Sequence, residues 1–332
     1  MTKPKGLYIC RPSALQEVYS DEVQTSIAEL LDMVAEPQTP DSVKANPELL
    51  QEVEVIMSSW GAPILDEAFL AHAPNLKILF YGAGSIRYFV TDDSWQRNVR
   101  VSSAFRLNAV AVTEYALATI LLSLKRFWHY TQVVKKERTY NKERLLPGNY
   151  GSTVGLVSLG SVGRGVLKRL KHHENEVIAY DPFLSDEDAQ RLGVESVSLE
   201  DLFKRSDVVS LHTPALEETR KMVKKEHFAS MKENATFINS ARGMVIDEAA
   251  LIEVLQTRAD LYAILDVTEP EPPVKESPLY DLPNVILTPH LAGNVGKERQ
   301  RQGQAMLEEL RLYLAGKPLE HEITQAQAKI MA

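Results

Sequence analysis

Residues 153–163 read Thr-Val-Gly-Leu-Val-Ser-Leu-Gly-Ser-Val-Gly, an apolar run that breaks into a glycine-containing turn and then a helical pattern reaching about His173. This is nearly the fingerprint G-x-G-x-x-G, in which a strand, a turn and a helix N-terminus receive a dinucleotide. Gly160 and Gly163 keep the second and third positions, where backbone must approach the pyrophosphate and the helix must pack closely on its strand. Ser158 replaces the first glycine. Serine is tolerated there if its backbone keeps an ordinary conformation, and its hydroxyl is then available to a phosphate. Ser161 and Val162, inside the turn, are expected to offer their amides to the same group. Asp181 closes the next apolar run, eighteen residues beyond Gly163, where a carboxylate grips ribose hydroxyls. No basic residue follows it before Arg191, so NAD is expected rather than NADP. The plainer alternative is that Asp181 opens the turn at Pro182.

Outward from this stretch, short apolar runs alternate with longer segments of helical period, the pattern of parallel sheets covered by helices. Beyond residues 153–159, strands are expected at 176–180, 207–211, 235–239, 262–266 and 285–288, enough for a full dinucleotide-binding sheet. The first part of the chain carries candidate strands at 7–10, 53–58, 76–81 and 99–102. One helical pattern runs from Asn108 to Lys135 and is followed by the polar stretch Asn141–Ser152; a last amphipathic helix, Gly296–Ala315, is stopped by Gly316-Lys317-Pro318. The expected class is α/β, with two doubly wound domains.

The chain has 332 residues, enough for two cores of ordinary size. With 45 acidic against 37 basic residues it carries a formal charge of −8, which disfavours a nucleic-acid partner. The apolar run at residues 7–10 is too short for a secretory signal, and the window 109–124, holding Thr113, Glu114 and Tyr115, is read as falling short of a membrane span. The single cysteine, Cys10, fits a reducing compartment, so a cytoplasmic protein is expected, and it is read as a buried strand-end thiol. His172-His173 lies at a polar helix end without cysteine or carboxylate partners at ligand spacing, and no metal is expected.

Three further stretches carry chemistry: Asn239-Ser240-Ala241-Arg242-Gly243, Asp266 through Pro272, and Thr288-Pro289-His290. The guanidinium of Arg242 is a permanent planar fork suited to the carboxylate and carbonyl of a 2-oxo acid. An imidazole such as that of His290 can hand over a proton near neutral pH, and a carboxylate beside it, Glu271, would fix its tautomer. Each residue has a plainer reading: Arg242 as a surface ion-pair residue, His290 as a structural histidine, Glu271 as a solvated loop charge. Yet all three follow expected parallel strands, at the carboxyl ends where such sheets bind ligands.

With residues 155–163, Tyr180-Asp181-Pro182, Ser210-Leu211-His212-Thr213-Pro214 and the three stretches above in this order, the chain resembles the D-isomer-specific 2-hydroxyacid dehydrogenases over nearly its whole length. The resemblance implies a Rossmann nucleotide-binding domain, residues 106–292, inserted into a flavodoxin-like catalytic domain made by both chain ends, residues 1–105 and 293–332, with a cleft between them. Arg242 falls on the substrate-binding arginine, Glu271 on the acidic orienting residue and His290 on the general acid/base. Asp266 falls on the residue beside the nicotinamide carboxamide, and Thr213 with Pro214 on the adenosine-side loop. Thr219, Ser240 and His290 are expected to touch the cofactor as well. His212 is read either as a cofactor contact or as structural. The helix 108–135 is read as a packed helix and, by resemblance, as part of a homodimer.

Gly82, Ala83 and Gly84 are expected to hold the substrate carboxylate with Arg242. The family often has an Asp-Asn pair soon after these glycines; here Ser85-Ile86-Arg87-Tyr88 follows, and Phe105-Arg106-Leu107 stands where smaller residues are common. Arg87 or Arg106 can meet a second anionic group or serve an ion pair, and Trp60 can wall the pocket or belong to the core. The expected activity is hydride transfer between NADH and C2 of a small 2-oxo acid, with glyoxylate, hydroxypyruvate and phosphohydroxypyruvate among the candidates. Two other readings share the scaffold. Formate dehydrogenases place glutamine where this chain has Glu271. Corepressor-like NADH-responsive binding proteins can retain the catalytic trio but usually add extended tails, which this chain is read as lacking.

Overall fold

Two parallel sheets organise the chain, and strand burial shows why these segments are strands at all. The computed structural model describes residues 2–140 and 148–330. The first sheet holds β1 (Lys5–Ile9), β2 (Asp32–Met33), β3 (Val55–Ser58), β4 (Ile78–Tyr81) and β5 (Arg100–Ser103) in the order β2-β1-β3-β4-β5. The second holds β6 (Thr153–Val157), β7 (Glu176–Tyr180), β8 (Glu195–Ser196), β9 (Val208–Leu211), β10 (Thr236–Asn239), β11 (Tyr262–Leu265) and β12 (Val285–Leu287) in the order β12-β11-β10-β9-β6-β7-β8. Every residue of β3, β4, β9, β10 and β11 is buried, as expected of strands covered by helices on both faces. The chain divides into two units, Met1–Asn108 with Asn294–Met331, and Ala109–Gly293.

In the first unit, one face of the sheet packs Leu7, Ile9, Ile56, Leu79 and Val101, and the other packs Tyr8, Val55, Met57, Ile78 and Phe80 against the helix Lys297–Leu314. Gly303 of that helix touches the end of the helix Pro12–Val18, since a Cβ there would lie 2.1 Å from the Val18 carbonyl oxygen. The β5 edge is covered by the C-terminal segment. The buried carboxylate of Glu309 accepts from Ser102 Oγ, Glu320 N and His321 N, and Arg100 pairs with Glu322 through two bonds of 2.7 and 2.8 Å. Cys10 is buried, and burial pushes its thiol up to about 12.

In the second unit, Val157, Leu211, Phe237 and Leu265 belong to one core, and Leu156, Val208, Ile238 and Ile264 to the other. The continuous helix expected from Asn108 to Lys135 is two helices, Phe105–Leu124 and Phe127–Glu137, parted at Arg126, whose φ is 48°. Thr119 and Ser123 donate their hydroxyls to carbonyls four residues back, a bonding pattern that loosens a helix just before the break. Residues Phe105–Leu124 form a helix of 20 residues that is long and apolar enough, by length and composition alone, to cross a membrane. Ala116, Ile120 and Leu124 are nonetheless fully buried in the core around β6, and a Cβ on Gly165 would lie 2.6 Å from Thr113 Oγ1. The two-residue strands β2 and β8 and a short helix, Gln325–Ile330, were not expected. Of the polar stretch 141–152, residues 141–147 lie outside the described residues.

Candidate functional site: the carboxyl rims of the sheets

The strand order of the second sheet reverses between β6 and β9, the point at which open α/β sheets bind ligands. Val157 pairs with both Tyr180 and Leu211, so the loops after β6, β7 and β9 leave the sheet at one level. Ser158 lies there with φ at 74°, in the left-handed region, which overturns the expectation of ordinary backbone. The chain must turn sharply because Gly163 packs against this residue; a Cβ on Gly163 would lie 2.2 Å from the Ser158 carbonyl oxygen. The Ser158 hydroxyl is 2.8 Å from that of Thr213, tying the two sides of the switch point together.

Gly160 is the N-cap of the helix Ser161–Leu170 and has no capping side chain; a Cβ built on it would meet nothing within 4 Å. The free amides of this first turn and the open space beside Gly160 suit a pyrophosphate. Asp181 accepts from Leu159 N at 2.7 Å and Phe183 N at 2.8 Å, which fixes the carboxylate beside the glycine turn. Two buried polar atoms on the same rim, His212 Nε2 and Ser240 Oγ, have no hydrogen-bond partner. Such orphans are costly unless a ligand satisfies them. Burial lowers His212 to about 4, so its ring is neutral at ordinary pH. Thr219 donates to the Pro214 carbonyl and accepts from Leu216 N, so its hydroxyl closes the loop after Thr213. The set fits a dinucleotide, with Gly160, Ser161 and Val162 at the phosphates, Asp181 at a ribose, and His212, Thr213, Pro214 and Ser240 along its length.

The register Asn239–Leu265–Leu287 brings the loops after β10, β11 and β12 to one level. Asn239 shapes the first loop by accepting from Ala241 N and donating to the Arg242 carbonyl. Arg242 is half-buried and donates to the Ala241 carbonyl at 2.6 Å; burial lowers its proton affinity and the charge of Glu271 opposes that. A guanidinium stays protonated under either influence. Gly243 must be glycine, because a Cβ would lie 2.1 Å from the Thr268 carbonyl in the next loop. The centre of the site is the pair His290 Nδ1 and Glu271 Oε1, 2.6 Å apart. Among the described residues the other ring nitrogen of His290 has no partner and remains available for proton transfer.

His290 itself has a φ of 51°, a conformation that needs support from its surroundings. Asp266, only 2 % exposed, supplies it: Oδ1 accepts from Thr288 Oγ1 at 2.6 Å and Leu291 N at 2.9 Å, and Oδ2 from Ala292 N at 2.9 Å. Its carbonyl also accepts from His290 N. The Thr288 hydrogen is committed to the carboxylate, so Tyr115, 3.0 Å from Thr288 Oγ1, must be the donor in that contact. Sequence reasoning missed Tyr115 and Thr288 as supports; the threonine preceding Pro289-His290 was the visible trace. Asp266 thus holds the histidine turn with both oxygens.

In the first unit, Gly82 fits where a Cβ would press on Val18 and Tyr19, and Ser103 Oγ donates to the Gly84 carbonyl at 2.7 Å. Trp60 is half-buried with the Arg299 guanidinium 5.0 Å from its ring centroid. Arg106 donates to the Glu320 carbonyl and lies over the Phe105 ring, and Arg87 donates to the Lys329 carbonyl.

A doubly wound sheet with a glycine turn at its switch point and an arginine, a carboxylate and an imidazole on its rim defines a nucleotide-binding oxidoreductase scaffold. The chain belongs to the D-isomer specific 2-hydroxyacid dehydrogenase family: residues 117–292 match the family's NAD binding domain. It is 33% identical over 259 residues to D-3-phosphoglycerate dehydrogenase of Archaeoglobus fulgidus, covering 78% of this chain and 49% of that protein. It is 30% identical over 297 residues to glyoxylate reductase of Korarchaeum cryptofilum, covering 88% and 89%. The chain spans about half the length of the D-3-phosphoglycerate dehydrogenases it matches. Its fold is that of Rhodotorula graminis D-mandelate dehydrogenase, with a TM-score of 0.79 at 24% identity over 98% of this chain and 99% of that one.

Proposed function

We propose that this protein reduces a small 2-oxo acid to the D-2-hydroxy acid, and runs the reverse reaction, with NAD as its cofactor. The observation that carries this reading is the 2.6 Å contact between Glu271 and His290 on the same rim as Arg242. Bound NADH would supply the hydride that reaches C2. Arg242 holds the carboxylate and draws electron density toward the carbonyl oxygen. His290 gives that oxygen a proton from the ring nitrogen that Glu271 does not engage. Glu271 holds the opposite nitrogen, which fixes the tautomer and balances the charge of the protonated ring. Proton transfer of this kind contributes roughly 10²- to 10⁴-fold, and the remaining rate comes from positioning. Asp181, with no basic residue before Arg191, favours NADH over NADPH. A homodimer in the cytoplasm completes the proposal.

The direct test is a panel of 2-oxo acids including glyoxylate, hydroxypyruvate and phosphohydroxypyruvate, following NADH oxidation. Turnover of at least one acid, faster with NADH than with NADPH, is expected. Tight NADH binding without turnover of any acid would overturn the enzymatic reading in favour of a binding protein on the same scaffold.

A further inference from the structure

Residues 269–273 read Glu-Pro-Glu-Pro-Pro, and the three prolines have no amide hydrogen to give. Only Glu269 and Glu271 can donate from the backbone. Among the described residues the Glu269 amide alone finds an acceptor, Glu248 Oε2 at 2.9 Å. Burial does not hold this stretch either, because Glu269, Pro270, Glu271 and Pro272 are all exposed. The Thr268 hydroxyl donates to the Pro270 carbonyl at 2.8 Å, a bond internal to the loop, and Tyr280 donates to the Pro273 carbonyl at 3.2 Å beyond Glu271. Between Thr268 and Glu271, therefore, one hydrogen bond joins the chain to the rest of its unit among the described residues, and Glu248 accepts it.

Glu248 opens the helix Glu248–Thr257, six residues after Arg242. The segment between them is braced: Lys221 N donates to the Met244 carbonyl at 2.8 Å, Val223 N to the Val245 carbonyl at 3.1 Å, and Asp247 N to the Val223 carbonyl at 2.8 Å. The bare backbone of Gly243 lets the next loop lie against this segment, since a Cβ there would stand 2.7 Å from the Glu269 nitrogen. Arg242 and Glu248 thus mark the two ends of one fixed piece of chain. Glu248 is half-buried, and among the described residues no cation pairs with it; Lys221 pairs with Asp247 and Lys225 with Glu253. Burial raises the proton affinity of its carboxyl, the Glu269 amide opposes that rise, and the Glu269 charge adds to it. An acid in the first turn suits the helix dipole, but Asp247 already caps this helix through Ala250 N, and a dipole does not require a half-buried carboxylate. Desolvating an unpaired carboxylate is costly, and what Glu248 gains for it is the hold on Glu269.

We propose that Glu248 is a positioning residue for the reaction: by accepting from Glu269 N it fixes the turn from which Glu271 reaches His290, and ties that turn to the segment that carries Arg242. Glu248 does not touch the reacting atoms and acts through Glu271. The proposal rests on the dehydrogenase reading for its effect on turnover, but the anchor is testable without it.

The experiment compares the wild type with Glu248→Ala and Glu248→Gln, each alone and combined with Glu271→Ala. Alanine removes the acceptor, whereas glutamine keeps a side-chain oxygen at the same reach. For the best acid of the panel, Glu248→Ala is expected to lower kcat about five- to ten-fold with KM for acid and NADH within about two-fold, and Glu248→Gln to keep kcat within about two-fold of wild type. On top of Glu271→Ala, adding Glu248→Ala should cost less than about two-fold, because the carboxylate it positions is already gone. The full loss in that background, or an equal loss in Glu248→Gln, would overturn the proposal. Hydrogen exchange of the NADH-free protein reads the anchor directly: the Glu269 amide should exchange at least about ten-fold faster in Glu248→Ala and stay protected in Glu248→Gln. Unchanged exchange in Glu248→Ala overturns it. If the wild type turns over no acid, the dehydrogenase reading fails, while exchange still decides whether Glu248 holds the Glu271 segment.

Discussion

The carboxyl rims of the two sheets hold their side chains in different ways. On the second rim every reactive residue is fixed from behind: Asp266 by three donors, His290 by Glu271 and by the Asp266 carbonyl, Arg242 by the Ala241 carbonyl. On the first rim Arg11 is unpaired among the described residues, Tyr88 is half exposed and Trp60 half-buried. Proton transfer needs side chains held in place, and the second rim has that backing whereas the first does not.

The contrast breaks most visibly at Asp266. Replacing it with alanine leaves the Leu291 and Ala292 amides and the Thr288 hydroxyl without their acceptor. We expect a loss of roughly 3 to 5 kcal/mol in denaturant unfolding, with turnover falling in step. A change under about 1 kcal/mol would show that the turn holds itself.

His212 sharpens the picture on the acid side. Burial lowers it to about 4 from the 6.5 of an exposed histidine, so the unfolded chain takes up the proton first as pH falls. Stability is fully present above the unfolded value and drains away between there and the folded one, by about 2 kcal/mol from pH 7 to pH 5. His212→Gln in the cofactor-free protein should remove that increment from urea unfolding; the same pH slope in both would contradict a neutral buried ring.

Glu271→Gln keeps the loop but removes the charge beside the imidazole. Reductive kcat should fall roughly 10- to 100-fold, because the imidazole loses the carboxylate that fixes its tautomer. An unchanged kcat would take Glu271 out of the proton transfer. The smallest effect belongs to Ser158→Gly. Glycine relieves the left-handed backbone but loses the hydroxyl contact with Thr213, and the two nearly cancel, leaving a change under about 1 kcal/mol. A loss much larger than that would mean the hydroxyl pair does more than close the turn.

Much of this was legible in the residues themselves. The six long strands of the second sheet announce themselves as apolar runs, and the trio follows three of them. What stayed hidden was decided by long-range geometry. β2 and β8 are two residues long, too short to show a period. The break at Arg126 and the left-handed turn at Ser158 are backbone conformations that no side chain there advertises. The contact of Arg11 N with the Trp60 carbonyl was hidden for a similar reason: only the register of β1 against β3 brings together two residues 49 apart in sequence. Asp266 and Thr288 sat in recognisable motifs, yet their bonds to each other and to the histidine turn required the fold.

The central claim is that His290 is the proton donor and acceptor of a 2-oxo acid reductase, and His290→Ala tests it most directly. Steady-state turnover of the best acid from the panel is measured alongside NADH affinity by fluorescence titration. Turnover should fall by about 10³-fold or more while the NADH dissociation constant stays within about two-fold of wild type. Turnover comparable to wild type in that variant would contradict the account.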